Sequence, residues 1–154
     1  MGNKETVKQY IVIRKDVRTR TGAPMGAGKL AVMVAHASMA FLSRMVQKNS
    51  FQRIITHKWM FSSDVDDETK SWLDGAFTKI LLEAETLRSL ERVVEDAESI
   101  GLVEDVDFFC IRDKCFTELL PDDGADTCFV AIGFRPMEAE KLAPVVKRLQ
   151  LYKD

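Results

Sequence analysis

The chain has 154 residues, of which 46% are hydrophobic and 30% charged, a size and composition that suit one domain, 1–154, around one continuous core, with 1–6 as a flexible N-terminus. No stretch approaches the roughly 18 to 20 uninterrupted apolar residues of a membrane-spanning helix, and the polar first ten residues lack the apolar centre of a signal peptide, so the expectation is a cytoplasmic protein without a transmembrane segment. The net charge of −2 hides an asymmetry: residues 1–60 carry eleven Lys or Arg against two acids, whereas residues 61–154 carry eleven against twenty-two.

In chain order, the apolar, β-branched run Tyr10 to Ile13 inside KQYIVIRKDV reads as a buried strand. RTRTGAPMGAG, residues 18–28, is a basic loop whose glycines and Pro24 feed a helix. From Lys29 to about Asn49, Leu30, Val34, Ala37, Phe41 and Met45 recur at spacings of four, three, four and four, an amphipathic helix with one core face. The segment Phe51 to Trp59 has no clear period; SSDVDDETK then caps a short helix through Trp72 and Leu73.

TKILLEA, residues 78–84, is a second strand, followed by a helix marked by Leu87, Leu90, Val94 and Ala97 and stopped by Gly101. VDFFCIR at 106–112 and TCFVAIGF at 127–134 are two further strands, joined by a loop with the turn sequence PDDG. A last helix from about Met137 to Leu149 is bent or interrupted by Pro144, which lacks a backbone donor. This order predicts an α/β three-layer sandwich, a mixed four-stranded sheet with helices on both faces.

Three residues of the long helix, Lys29, Met33 and His36, share one face at i, i+4 and i+7, starting where the glycine loop ends. A lysine at a helix start sits beside the positive end of the dipole, which costs a few tenths of a kcal/mol and suggests that it faces an anion or serves another purpose. The loop is no nucleotide P-loop, because the GxxxxGK[ST] spacing is absent and Leu30 stands where a hydroxyl is needed. An isolated His36 between two alanines is as readily a core-edge histidine as a catalytic one. Cys110, Cys115 and Cys128 match neither a disulfide framework nor a zinc ribbon and read as thiols, and His36 and His57 lack neighbouring ligands, so neither metal nor cofactor is expected.

YIVIRKDV, MGAGKLAVMVAHASMA, IRDKCFTELL, GADTCFVAIG and the closing RLQLY together resemble the type-2 peptidyl-tRNA hydrolases over nearly the whole chain. The second segment is similar to that family's GK-x-A-A-Q-x-x-H-A helix, and the third and fourth to its D-x-x-x-T-Q and G-T-x-T-V-x-x-I-G segments; the two ends are nearest to its peptidyl-tRNA hydrolase domain-containing branch. The resemblance implies hydrolysis of the ester between a peptide and the 3′ ribose of tRNA, without metal, at a cleft lined by Lys29, His36, Asp113, Thr117 and Thr127. It implies tRNA and not DNA as partner, and a homodimer. Such chemistry needs a water oriented and deprotonated, for which Asp113 or His36 would serve, and a developing negative charge stabilised, for which Lys29 would serve. Thr117 and Thr127 would hydrogen-bond the water or the carboxylate, while Arg14, Lys15, Arg18 and Arg20 would hold phosphates of the acceptor end.

The chain departs from that pattern at Met33, Glu118 and Ala125, where the family has Gln, Gln and Thr. A family member that binds RNA or a protein without turnover is therefore the alternative, and a cysteine hydrolase with Cys115 as nucleophile and His36 as base is another. MGNKET also matches the M-G-x-x-x-[ST] pattern for N-myristoylation at Gly2.

Overall fold

A computed structural model describes residues 6–154; the Gly2 motif lies outside them. The chain runs β1 (Val7–Arg14), α1 (Ala27–Asn49), β2 (Ser50–Gln52), β3 (Trp59–Phe61), α2 (Asp67–Asp74), β4 (Lys79–Ala84), α3 (Leu87–Ser99), β5 (Phe108–Asp113), β6 (Cys128–Phe134), β7 (Met137–Glu138), α4 (Ala139–Val146) and β8 (Gln150–Leu151). The four expected strands form the order β5-β6-β1-β4, with β1 parallel to β4 and antiparallel to β6. Two additions make the sheet six-stranded: β8 extends it beyond β4, and β7 pairs with the start of β1. Both are two residues long, too short to show a period of their own.

Alternation along β1 builds the two layers of core. Ile11 and Ile13 point to one face, where Met33 and Ala37 of α1 meet them with Ala131 of β6. Val12 points to the other, among Leu90 and Val93 of α3, Ile132 of β6, and Leu142 and Val145 of α4. On the α1 side a third cluster joins Phe41 to Trp72 of α2, whose indole N–H donates to the Thr78 carbonyl at 2.8 Å. The result is the expected sandwich, with α1 and α2 on one face and α3 and α4 on the other.

Two features fix α1 to the sheet. A Cβ at Gly133 would lie 1.9 Å from the Ala37 carbonyl oxygen, so glycine is what lets helix and strand approach this closely. Buried Gln9 of β1 donates to the carbonyls of Ser38 (2.7 Å) and Phe134 (3.2 Å) and accepts from the Ser38 hydroxyl (2.9 Å). Among the described residues α1 is also long and apolar enough to span a bilayer, which a search for uninterrupted apolar runs does not register; in the fold its Met33, Ala37 and Phe41 face is spent on the sheet.

Other differences from expectation have local causes. The segment without a period is the β2–β3 hairpin, most of whose side chains are exposed, so no buried face imposed a pattern on it. The acidic stretch does cap α2: the Asp66 carboxylate accepts from the Thr69 backbone N–H at 2.7 Å. The last helix stops at Val146, two residues after Pro144, which frees the chain to turn into β8.

Candidate active site

Lys29 is the third residue of α1, and Asp113 is the last residue of β5, an edge strand of the sheet. They meet: the Lys29 Nζ lies 2.6 Å from Asp113 Oδ2, with the two side chains only 14% and 11% exposed. Asp113 is thus the anion that a lysine at this helix start requires. The α1 N-cap is Gly26, without a side-chain cap, and the first turn has no acid of its own. Added Cβ atoms at Gly26 and Gly28 would meet nothing within 4 Å, so the space before the helix is open to an incoming group.

The second Asp113 oxygen, Oδ1, accepts from the Cys115 backbone N–H at 2.8 Å. This is an Asx turn, in which an aspartate accepts from the N–H two residues on, and Cys115 itself adopts φ 57°, a left-handed conformation that L-residues take at a cost. Burial pushes the Asp113 carboxyl up, but the Lys29 and Cys115 hydrogen bonds and the charges of Lys29 and His36 outweigh it and hold the group below the ordinary carboxylate range. Such an anion is a weak base and a good orienter.

His36 is exposed on α1, in a shallow cleft shared with Met39, Ala40 and Ser43 and with Cys110, Ile111 and Arg112 of β5. Thr127 directly precedes Cys128, the cross-strand partner of Asp113, and is half-buried. A register shift at Ile111/Arg112 precedes this pair, a bulge of the kind that re-aims side chains at a strand end. Thr117 is exposed four residues beyond Asp113, in a segment zipped to the basic loop: the Arg20 N–H donates to the Glu118 carbonyl and the Leu120 N–H to the Arg18 carbonyl, both at 2.9 Å.

Of the four cations expected to hold phosphates, two are used otherwise. Arg14 is buried, ion-paired with Asp16 and, at 2.6 Å, with Asp122, and donates to the Phe129 carbonyl at 3.1 Å. Lys15 pairs with Glu83 at 3.4 Å and lies 4.2 Å from the centre of the Tyr152 ring. A strand end packed over its neighbours turns both side chains inward, which charge counting does not register. Arg18 and Arg20 are exposed, and Arg20 Nη2 also donates to the Cys115 carbonyl at 2.5 Å, tying the loop to the turn that holds Asp113.

On the α1 face that Lys29, Met33 and His36 were expected to share, Met33 is buried in the core. The cysteine route fails on geometry: Cys115 is buried, its thiol donates to the Asp113 carbonyl at 3.4 Å, and burial followed by the Asp113 charge pushes its pKa up. What the sequence concealed is the Cys115 backbone N–H as a ligand of Asp113, a donor that no side chain identifies.

The chain matches the family model described as "Peptidyl-tRNA hydrolase PTH2" over residues 7–152. It is 32% identical to the peptidyl-tRNA hydrolase of Haloquadratum walsbyi over 95% of this chain and 100% of that one, and 29% identical to that of Thermoplasma acidophilum over 94% and 97%. Among solved structures, a protein of unknown function from Agrobacterium, Atu0240, aligns at a TM-score of 0.49 and 8% identity over 96% of this chain and 98% of that one, a likeness too loose to carry an argument. Over essentially its described length, then, the chain belongs to the peptidyl-tRNA hydrolase PTH2 family.

Proposed function

We propose that the chain hydrolyses the ester bond of peptidyl-tRNA, releasing free tRNA and peptide, at the site built on Lys29 and Asp113. The observation that carries this reading is the largely sheltered ion pair at the open N-terminus of α1, beside an exposed histidine. Asp113, held as an anion, orients the attacking water or the ribose hydroxyl. His36 takes the proton from the water and returns it to the departing ribose oxygen, a task suited to an imidazole. The Lys29 ammonium stabilises the negative charge that develops on the carbonyl oxygen or on the departing ribose oxygen. Thr117, four residues after Asp113, and Thr127, next to the cross-strand partner of Asp113, supply hydroxyls for the water. No step in this scheme calls for a metal.

Arg18 and Arg20 then meet phosphates of the acceptor end, so the basic contribution of the first sixty residues narrows from four loop cations to these two. The reaction belongs to translation, which supports a cytoplasmic setting; the homodimer that the family resemblance implies is read directly by light scattering. The test is release of free tRNA from an N-blocked aminoacyl-tRNA in the presence of a chelator. Turnover supports the reading. Salt-dependent binding of the same tRNA without cleavage replaces it with a binding module, for which the burial of Met33, with no polar group in its place, is the first reason to examine.

A further inference from the structure

The β2–β3 hairpin is the most apolar exposed feature of the molecule and takes no part in the site described above. It projects from the far end of α1: Lys29 and Asn49 are separated by twenty residues of helix, about 30 Å at 1.5 Å per residue. At its tip Ile54 and Ile55 are 90% and 93% exposed. Just behind them stand Arg53 and Lys58, closed by a backbone hydrogen bond from Arg53 N–H to the Lys58 carbonyl at 2.9 Å. Behind these come Trp59, 70% exposed, opposite Gln52, and then half-exposed Phe51 opposite Met60.

From tip to base the order is therefore aliphatic, cationic, aromatic. Between Asp16 and Asp64 the chain has no acidic residue at all, so nothing in this segment offsets the hairpin cations. The hairpin is a two-stranded sheet of its own, and such a pair is marginal in water unless something covers it.

We propose that this hairpin docks the protein on an anionic lipid surface, with Ile54 and Ile55 inserted below the headgroups. The aliphatic tip enters the acyl boundary, Arg53 and Lys58 meet headgroup phosphates, and Trp59 lies at the interface, where indole rings are favoured. Charge complementarity selects an anionic surface. The tip selects lipid over nucleic acid, because isoleucine has no ring face on which a base can stack. It also argues against a second copy of this chain: the groove beside the hairpin is rimmed by Arg44, Asp64, Glu68 and Arg135, a poor receptor for two adjacent isoleucines.

The experiment uses the full, unacylated chain, so that binding reads the hairpin alone, with vesicles of phosphatidylcholine, pure or mixed with phosphatidylglycerol. Trp72 is buried and Trp59 exposed, so a blue shift with quenching by brominated lipid reports Trp59. The expected result is sedimentation with the mixed vesicles, the Trp59 signal, and weakening by salt. Ile54→Asp with Ile55→Asp should reduce vesicle binding by about tenfold or more, the equivalent of roughly 1.4 kcal/mol, while cleavage of soluble peptidyl-tRNA is unchanged. Arg53→Glu with Lys58→Glu should abolish the preference for phosphatidylglycerol.

Three results would overturn the proposal: no sedimentation with mixed vesicles; Trp59 protected by single-stranded RNA in a way that the isoleucine variants leave intact; or a dimer by light scattering that those variants convert to monomer. None of these bears on the hydrolase site, so failure here leaves that reading standing.

Discussion

The ion pair between Lys29 and Asp113 explains a residue that local rules disfavour. Lysine in the first turn of a helix opposes the dipole, and here a carboxylate at 2.6 Å offsets that cost. Because the folded-state pKa of Asp113 is depressed, its contribution to stability is fully present above the unfolded value, about 3.9, and is lost as pH falls through the lower folded value. Asp113→Asn should therefore lower Tm at pH 6, with the difference from wild type shrinking as pH drops below about 4, a trend that thermal melts across pH would show. Any acid limb of activity above that range belongs to another group. The four loop cations separate in the same way. Arg18→Ala and Arg20→Ala should each weaken tRNA binding and reduce the salt slope by about one, with Tm unchanged for Arg18→Ala and lowered slightly for Arg20→Ala, which loses its bond to the Cys115 carbonyl. Arg14→Ala should instead cost on the order of 3 kcal/mol of stability, since it leaves the largely buried Asp122 with its Phe129 N–H bond but without its cation. Denaturant titration beside a binding isotherm distinguishes the two classes. Lys29 and His36 shared a helix face by spacing, whereas Asp113 entered only through the family resemblance. The inward turn of Arg14, the burial of Met33 and the Cys115 N–H were not legible, because each is set by packing or by a backbone angle that the side-chain identity does not reveal.

At the scale of elements, the site depends on how α1 seats on the sheet, since that helix brings Lys29 and His36 to the end of β5. Gly133 sets the seating: the Cβ of Gly133→Ala would fall on the Ala37 carbonyl, and because backbone cannot yield as a side-chain tip can, the change should destabilise by about 3 kcal/mol or more. Hydrolysis should fall further than the folded fraction accounts for, a difference seen by measuring kcat on the soluble material. At the other end of the scheme, Asp66→Ala removes the α2 cap and should cost about 1 kcal/mol with activity unchanged, because α2 packs on Phe41 and not near Asp113. The four long strands and all four helices could be read from periodicity and turn residues. The elements that escaped were β7 and β8, two residues each, and the β2–β3 hairpin, where exposure removes the alternation on which a strand assignment rests.

For the whole molecule, the contrast between a basic first part and an acidic remainder resolves into separate uses. Some of the charges pair across the fold, as Lys15 does with Glu83 and Arg44 with Asp105 at 3.0 Å. Arg18 and Arg20 stay exposed on the loop beside the site, bonded to the Val17 and Cys115 carbonyls, and Arg53 and Lys58 stand on the distant hairpin. Segment charge does not say which cations remain available, since pairing is a property of the fold. The central claim is that Lys29 and Asp113 act as one catalytic unit, and a double-mutant cycle on kcat/KM for peptidyl-tRNA cleavage tests it most directly. Lys29→Ala and Asp113→Ala should each lose about a hundredfold or more, and the double variant little beyond either single change, the non-additivity of groups that work together. Single variants close to wild type, or losses that simply multiply in the double variant, would contradict it.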